Sequence, residues 1–477
     1  MNLKQQAISG MIWSYSQQFS TQLISFLVSV CLARILIPEE FGLIGMLSIF
    51  IGVGSALFEG GLTSSLIRSK SLDHEDYSTV FYFNLGSSLI IYFSLYLLAP
   101  SIADFFHQTK LIAIARLYGL TFIISAFGAV QNTILTREMK FKKQTLIAFP
   151  ALVISSIVGL VSALKGFGVW SLVYSALANA IVTSLFLWLR SDWYPRLTFD
   201  RKKFYYHFNY GYKLTFSAVL DIIFSNIYQL VIGRYYSSAT VGYYTRANTL
   251  LMLPVGNVSG ALNKVVFPLF SKMQNDIDQF RAAYKKIMLM VLFIISPIIV
   301  FMAVAGRPLI ILLFTEKWLP VVPIFQVICF TGILYPIHLY NLLVLQVKGR
   351  SDLFLKLEII KKLLQGAILL ISFYYGFFAL LWGQVLFSTI ALLINTHYAG
   401  RMLKYNMLSQ LKDLFPILLF SLFMGITISL ILYFSINYSS LIQLTFGGIG
   451  GILAYLTIAW FFKFQSINDI TNIIYKR

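Results

Sequence analysis

Apolar stretches of about 20 residues recur along the chain from Ala7 to Phe462, some fourteen in all, with short polar connections between them. A hydrocarbon core of roughly 30 Å takes about 20 helical residues to cross, and a backbone inside it must satisfy its own hydrogen bonds. Each stretch therefore predicts a transmembrane helix. The expected spans are 7–36, 41–67, 78–99, 111–135, 144–164, 169–189, 214–236, 241–267, 287–305, 322–346, 355–375, 377–399, 414–436 and 441–462.

The longest polar interruption, 190–213 (RSDWYPRLTFDRKKFYYHFNYGYK), follows the sixth span and carries a dense basic and aromatic cluster. It divides the chain into an N-terminal lobe 1–189, a cytoplasmic linker 190–213, a C-terminal lobe 214–400, and a last segment 401–477 with two spans and a short tail. The fold class is thus an all-α polytopic membrane protein of about fourteen helices, with two pseudo-symmetric six-helix lobes plus two C-terminal helices.

Sliding the chain along itself by 200 residues places Ser25 on Ser225, Arg34 on Arg234, Gly42 on Gly242, Gly60 on Gly260 and Leu62 on Leu262. The number of matches is near chance, but an arginine ending one span and a glycine opening the next recur at the same places. Six spans separate the copies, so both lobes enter the membrane in the same direction, as in transporters built from parallel repeats with a site between the halves.

Charge sets the expected orientation. With a cytoplasmic amino terminus, all but eight of the 37 basic residues fall on the inner side; the eight are Arg34, Lys110, Arg116, Lys165, Arg234, Arg246, Arg307 and Lys317. The positive-inside rule then puts both termini in the cytoplasm. The net charge of +19 is spread over many short connections, which fits an inner surface facing anionic lipid heads and argues against a nucleic-acid partner. The segment Met1–Gly10 carries only Lys4 ahead of a long first span, so the first helix is expected to be its own insertion signal, without a removable leader.

Ionisable groups within spans cost about 2.5–3.5 kcal/mol each near the bilayer centre on insertion scales, so each needs a partner, a wet cavity or a helix end. Arg34 and Arg234 stand near the outer ends of the first and seventh spans, where snorkelling to headgroups and lining a cavity are both open. Glu59, followed by Gly60 and Gly61, has no cation near it in sequence, which leaves a cavity-facing carboxylate or a helix-pairing role. Asp221, Ser225 and Gln229, with Asn226 beside them, share one face of the seventh span and predict a wet surface. Arg246 opens the eighth span near Arg234, whereas Arg116 reads as an interface anchor.

Pro254 and Gly256 interrupt the eighth span and are followed by Asn257, Ser259, Gly260 and Asn263, which predicts a kinked helix bordering water or protein. Glu358 and Lys361 are spaced to pair with each other, and His338 reads first as a hydrogen-bonded core histidine and second as a proton relay.

Nothing in the chain fits catalysis. The phosphate loop GxxxxGK[ST] is missing, the histidines lack metal-ligand spacing, and Cys31 and Cys329 lie in separate apolar spans. No metal site and no cofactor are expected.

The segments LARILIPEEFGLIGM (32–46) and GGLTSSLIRS (60–69) resemble the Wzx-type polysaccharide flippases of the multidrug/oligosaccharidyl-lipid/polysaccharide exporter (MOP) superfamily, whose O-antigen branch comprises lipopolysaccharide biosynthesis proteins. GVWSLV (168–173), the tract 230–276, RPLIILLFTEKW (307–318) and KGRSD (348–352) are similar to that family's landmarks in the same order, over about residues 1–400. The resemblance implies a MOP/MATE-like fold in the bacterial inner membrane that moves an undecaprenyl-diphosphate-linked oligosaccharide between leaflets. It implies Arg34, Arg234 and Arg246 as diphosphate ligands, with Glu59, Asp221, Asn226 and Gln229 lining the same cavity. Gly60, Gly61, Pro254, Gly256 and Gly260 are the expected bending positions, and the lipid tail would pass between the first and eighth helices.

The expected partners are the lipid-linked glycan and membrane lipids, with a polysaccharide polymerase and a chain-length regulator alongside, and the chain is expected to be a monomer. Family members carry Asp or Asn where Tyr228 stands here, so coupling to Na⁺, H⁺ or the membrane potential is left open. The competing readings are a cation-coupled drug exporter of the same superfamily and a membrane-embedded polymerase or glycosyl-transferring enzyme.

Overall fold

The computed structural model describes residues 20–464, with only the backbone described for 261–265. The start of the first span, the inner-side assignments of Lys4, Lys476 and Arg477, the side chains of Asn263 and Lys264, and the tail from Gln465 to Arg477 lie outside the described residues.

Among the described residues the regular structure is helical. The order is α1 (Ser20–Ile35), α2 (Pro38–Glu59), α3 (Leu62–Arg68), α4 (His74–Phe106), α5 (Lys110–Tyr118), α6 (Leu120–Arg137), α7 (Phe141–Leu164), α8 (Trp170–Leu189) and α9 (Arg201–Ser225). Then come α10 (Ile227–Tyr235), α11 (Ser238–Lys272), α12 (Ile277–Val304), α13 (Gly306–Phe314), α14 (Val321–Val347), α15 (Ser351–Phe373), α16 (Phe377–Leu403), α17 (Met407–Phe434) and α18 (Ser440–Phe461).

Within the described residues, every expected span coincides with one of these helices or a consecutive pair. Among the described residues ten spans are long and apolar enough to cross a membrane, and α9 with α10, bent by 48°, makes an eleventh if the pair is one broken span. The other expected crossings fall on α1, whose described part is shorter, and on α11 and α15, which carry more polar and charged side chains.

The main boundary difference lies at 201–213, expected to be linker and observed as the first half of α9. Asp200 caps that helix, its carboxylate accepting the N–H of Lys202 at 2.7 Å and of Lys203 at 3.0 Å. A good N-cap lets a basic, aromatic run that reads as loop begin a helix instead.

By packing, the chain forms two compact units that divide between Gly242 and Tyr243, within α11. The lobes drawn from the sequence divide at the earlier tract 190–213. In the first unit α9 packs on α2, α3 and α4.

Local chemistry fixes the turns of this unit. Pro38 opens α2, where the Glu40 carboxylate accepts the Ile37 N–H at 3.0 Å. Gly60 and Gly61, at φ 54° and 64°, break α2 from α3 in the left-handed region that favours glycine.

The connections gather at two ends. At one, Arg137 donates to the Tyr77 hydroxyl at 2.7 Å and to the Ser69 carbonyl at 3.1 Å, and Lys203 Nζ lies 2.5 Å from Asp73 and 2.8 Å from Glu75. At the other, Arg234 bonds the last turn of α4, and a Cβ on Gly168 would lie 2.3 Å from Glu40 Oε1. The first group of connections are those expected inside, the second those expected outside, so the alternation in this unit agrees with the distribution of basic residues.

In the second unit α14 packs on α12 and α16, and α17 packs on α12 and α18. Its core holds Trp318 and Tyr284 fully buried; the Tyr284 hydroxyl donates to Asn341 Oδ1 at 2.8 Å, and Asn341 Nδ2 donates to Thr396 at 3.0 Å. Buried polar groups without such partners are costly, so this network fixes the register of α12, α14 and α16.

Candidate functional site

A cavity of about 890 Å³ opens inside the first unit, between α2, α6, α7 and α8. Its size lies within the roughly 300–1,000 Å³ of small-molecule sites. Each helix turns one polar stripe toward it. On α8, Ser175, Asn179 and Thr183 recur at intervals of four; on α6, Thr121, Ser125 and Asn132 share one face; on α7, Gln144 and Ser155 do so. Gly128, Ala129, Ala148, Ala176 and Ala180 keep the space open between them.

The wall is partly cross-linked. Gln144 Nε2 donates to Asn132 Oδ1 at 3.1 Å and to Thr136 Oγ1 at 2.8 Å. Asn179 Nδ2 donates to Ser155 Oγ at 3.3 Å, and Ser175 Oγ to the Ser155 carbonyl at 2.9 Å. These bonds hold the amides in place while using only part of their donor and acceptor capacity.

Glu59 is the carboxylate of this cavity, and no lysine or arginine is among the described residues lining it. It is the last residue of α2, exposed toward the open space, with Gly60 as the left-handed cap behind it. A helix C-terminus carries partial negative charge, so an acid there is unfavourable for the helix itself. The Glu59 carboxylate therefore gains nothing from its own helix end and faces the hollow.

The other expected site residues are not among those lining this cavity. Gln229 Nε2 donates to Ser48 Oγ at 2.9 Å and to the Gly45 carbonyl, which ties α10 to α2. Asn226 marks the α9–α10 break, and its side-chain Nδ2 donates to the Ile222 carbonyl at 2.8 Å, an oxygen that also accepts the Asn226 backbone N–H at 3.1 Å. Asp221 on α9 and Arg34 on α1 are exposed.

Arg234 donates to the carbonyls of Asp104, at 3.3 Å, and Phe105, and it lies 2.8 Å from His107 Nε2. A cation on the last carbonyls of α4 complements that helix end. Arg246, in the second unit, lies over the Trp318 ring at 6.0 Å. Arg116 covers the Tyr96 ring at 4.1 Å.

The bending positions differ in kind. A Cβ on Gly61 would fall 2.4 Å from the Gly211 carbonyl oxygen, so this glycine is demanded by both its backbone and its neighbour. Pro254 lies within α11, which continues as helix past it, and Asn257 Nδ2 donates to the Leu253 carbonyl at 2.7 Å. Gly256 and Gly260 have open space where a Cβ would stand.

In the second unit Lys361, almost fully buried, pairs with Glu358 as its spacing indicates. His338 lies 3.2 Å from both Ser388 Oγ and Asn395 Nδ2, as a hydrogen-bonded core histidine should.

At the connections around 69–76 and 200–207, hydrogen bonding from Lys203 holds the Asp73 carboxyl well below the usual carboxylate range, and the same contacts, Asp73 first and Glu75 second, raise the Lys203 ammonium. His207, fully buried, sits 2.8 Å from Ser65 Oγ and 3.1 Å from Asp76 Oδ1.

A polytopic helical protein with a polar-lined hollow of about 890 Å³ inside a membrane-spanning unit has the build of a transporter. The chain belongs to the family described as polysaccharide biosynthesis protein, whose profile matches residues 31–323. It is similar to the lipopolysaccharide biosynthesis protein WzxC of Escherichia coli K12, 25% identical over 370 residues that span 76% of this chain and 74% of WzxC. Its fold is shared with the lipid II flippase MurJ in an inward closed conformation, at a TM-score of 0.73 and 19% identity, covering 96% of this chain and all of MurJ (100%). An inward-facing MATE family multidrug resistance transporter of the MOP superfamily matches at a TM-score of 0.63 and 21% identity, over 80% of this chain and 94% of its own.

Proposed function

We propose that this protein is a flippase that moves an undecaprenyl-diphosphate-linked oligosaccharide from the cytoplasmic to the periplasmic leaflet of a bacterial cytoplasmic membrane, for the synthesis of O-antigen, capsule or exopolysaccharide. The observation that carries this reading is the hydrophilic hollow of about 890 Å³ within the helices of the first unit. Sugars do not cross hydrocarbon unaided, whereas a polyprenyl tail stays in the lipid throughout, so only the head needs such a path. The family and the likeness to WzxC, named for lipopolysaccharide biosynthesis, support the glycan; the fold shared with a lipid II flippase supports the lipid carrier.

In this reading lobes 1–189 and 214–400 rock about the 190–213 tract, both termini are cytoplasmic, and the monomer hands its cargo to a polymerase and a chain-length regulator on the far side. The cationic groups Arg34 and Arg246 are proposed to meet the diphosphate, and Asp221 to face the same path.

The MATE likeness favours a drug exporter as a second reading, but that structure corresponds to 80% of this chain against 96% for the lipid flippase. A polymerase or glycosyltransferase is the weaker alternative, since the proteins that share this fold move substrates rather than convert them. Cells lacking the protein separate these readings. Loss of a flippase leaves completed lipid-linked repeat units on the cytoplasmic face; loss of a polymerase leaves single units exposed outside, which would overturn the proposal.

A further inference from the structure

Resting on the flippase reading, we infer that the cavity of the first unit is the seat of the uncharged sugars of the cargo and excludes its anionic parts. The cavity selects for neutral glycans over acidic ones, and the diphosphate is held elsewhere.

The chemistry of the wall carries this. A sugar hydroxyl both donates and accepts, and so do the groups that surround the hollow: the amides of Asn132, Gln144 and Asn179 and the hydroxyls of Ser175 and Thr183. They come from α6, α7 and α8, so a glycan would be met from three sides. A hydrated sugar entering this space trades water hydrogen bonds for equivalent ones, which keeps net binding modest and lets the cargo leave again. The Glu59 carboxylate is an acceptor of two hydroxyls at once, the geometry that vicinal diols offer.

An anion meets the opposite situation. With no lysine or arginine among the described lining residues, a uronic acid or a phosphate would leave its water without gaining a counter-charge. It would also approach Glu59. Two carboxylates within about 6 Å at an effective dielectric near 20 repel by an amount worth on the order of a hundredfold in affinity.

The experiment uses the purified full-length protein and two substrates on the same undecaprenyl diphosphate: a tetrasaccharide of glucose and galactose, and its counterpart with one residue replaced by glucuronic acid. Transport is measured in proteoliposomes. In parallel, binding of the two free tetrasaccharides to the protein in detergent is measured by saturation-transfer NMR. The neutral form is expected to move about tenfold faster or more, and the free neutral sugar to bind where the acidic one does not. Glu59→Gln is expected to narrow the transport ratio by raising the acidic rate, and Asn179→Ala to weaken binding of the neutral sugar.

Equal transport of both substrates, or a ratio unmoved by Glu59→Gln, would overturn the inference. Its failure is distinguishable from failure of the flippase reading: discrimination in binding without any transport supports the sugar site and refutes the flippase, whereas transport with indiscriminate binding does the reverse.

Discussion

Gly42 and Gly242, each the fifth residue of its helix, meet backbone to backbone at the starts of α2 and α11. A Cβ on Gly42 would lie 1.7 Å from the Ser238 carbonyl oxygen, and one on Gly242 would lie 2.1 Å from that of Pro38. Each glycine thus faces the first residue of the opposite helix, a reciprocal backbone contact. Gly42→Ala is expected to cost about 1–3 kcal/mol as overpacking against backbone that has nowhere to move. Thermal unfolding of the purified protein measures this, and an unchanged midpoint would mean the contact opens freely.

Gly256 and Gly260 offer the contrasting case, since nothing occupies the place of their Cβ atoms. Alanine there raises helix propensity by about 1 kcal/mol per site without a clash. Gly256→Ala/Gly260→Ala should keep or raise the unfolding midpoint while slowing transport severalfold. Full-speed transport by the double variant would show that α11 does not bend there.

Arg234 is held by the last carbonyls of α4, so its removal should act on stability first. Loss of charge-assisted hydrogen bonds of this kind costs about 1.5–3 kcal/mol each where they are shielded from water, and less for this part-exposed side chain. Arg234→Ala is expected to lower the thermal midpoint and membrane abundance together. A variant that is stable and abundant yet binds no lipid-linked substrate would restore the diphosphate role expected from the sequence.

The Asp73–Lys203 contact gives a pH dependence with a definite sign. Asp73 is held below its ordinary value, so the stability it contributes is complete above about pH 4 and is lost as pH falls through its folded-state value. Lys203 is raised, so its contribution is complete below about pH 10 and is lost at more alkaline pH. Between these limits, wild type should exceed Lys203→Met in thermal midpoint by a constant margin that closes under acid. A margin that persists well below pH 2 would show the ion pair is not its source.

Much of the fold was legible because hydrocarbon imposes one rule: apolar runs of sufficient length must be helical to satisfy their backbones. What the pattern missed were breaks and caps. Asp200 extends α9 into the expected linker, and α9 breaks from α10 at Asn226 inside what reads as one span.

The site was legible in part. Glu59 stood out as an unpaired acid and does line the cavity, whereas Gln229 and Arg234, polar at the right depth, are taken up by neighbouring backbone. The uncharged lining was overlooked because serines, threonines and asparagines are tolerated in membrane helices. Their signal was periodicity, as in Ser175, Asn179 and Thr183 on one face of α8.

The most direct test of the transport claim is reconstitution of the purified protein into vesicles loaded with undecaprenyl-diphosphate-linked oligosaccharide, followed by an impermeant glycosidase added outside. A protected inner-leaflet pool that becomes cleavable at a rate dependent on the protein, and slowed by Glu59→Lys at equal protein density, is the expected result. An inner pool that stays protected with folded protein present would contradict it.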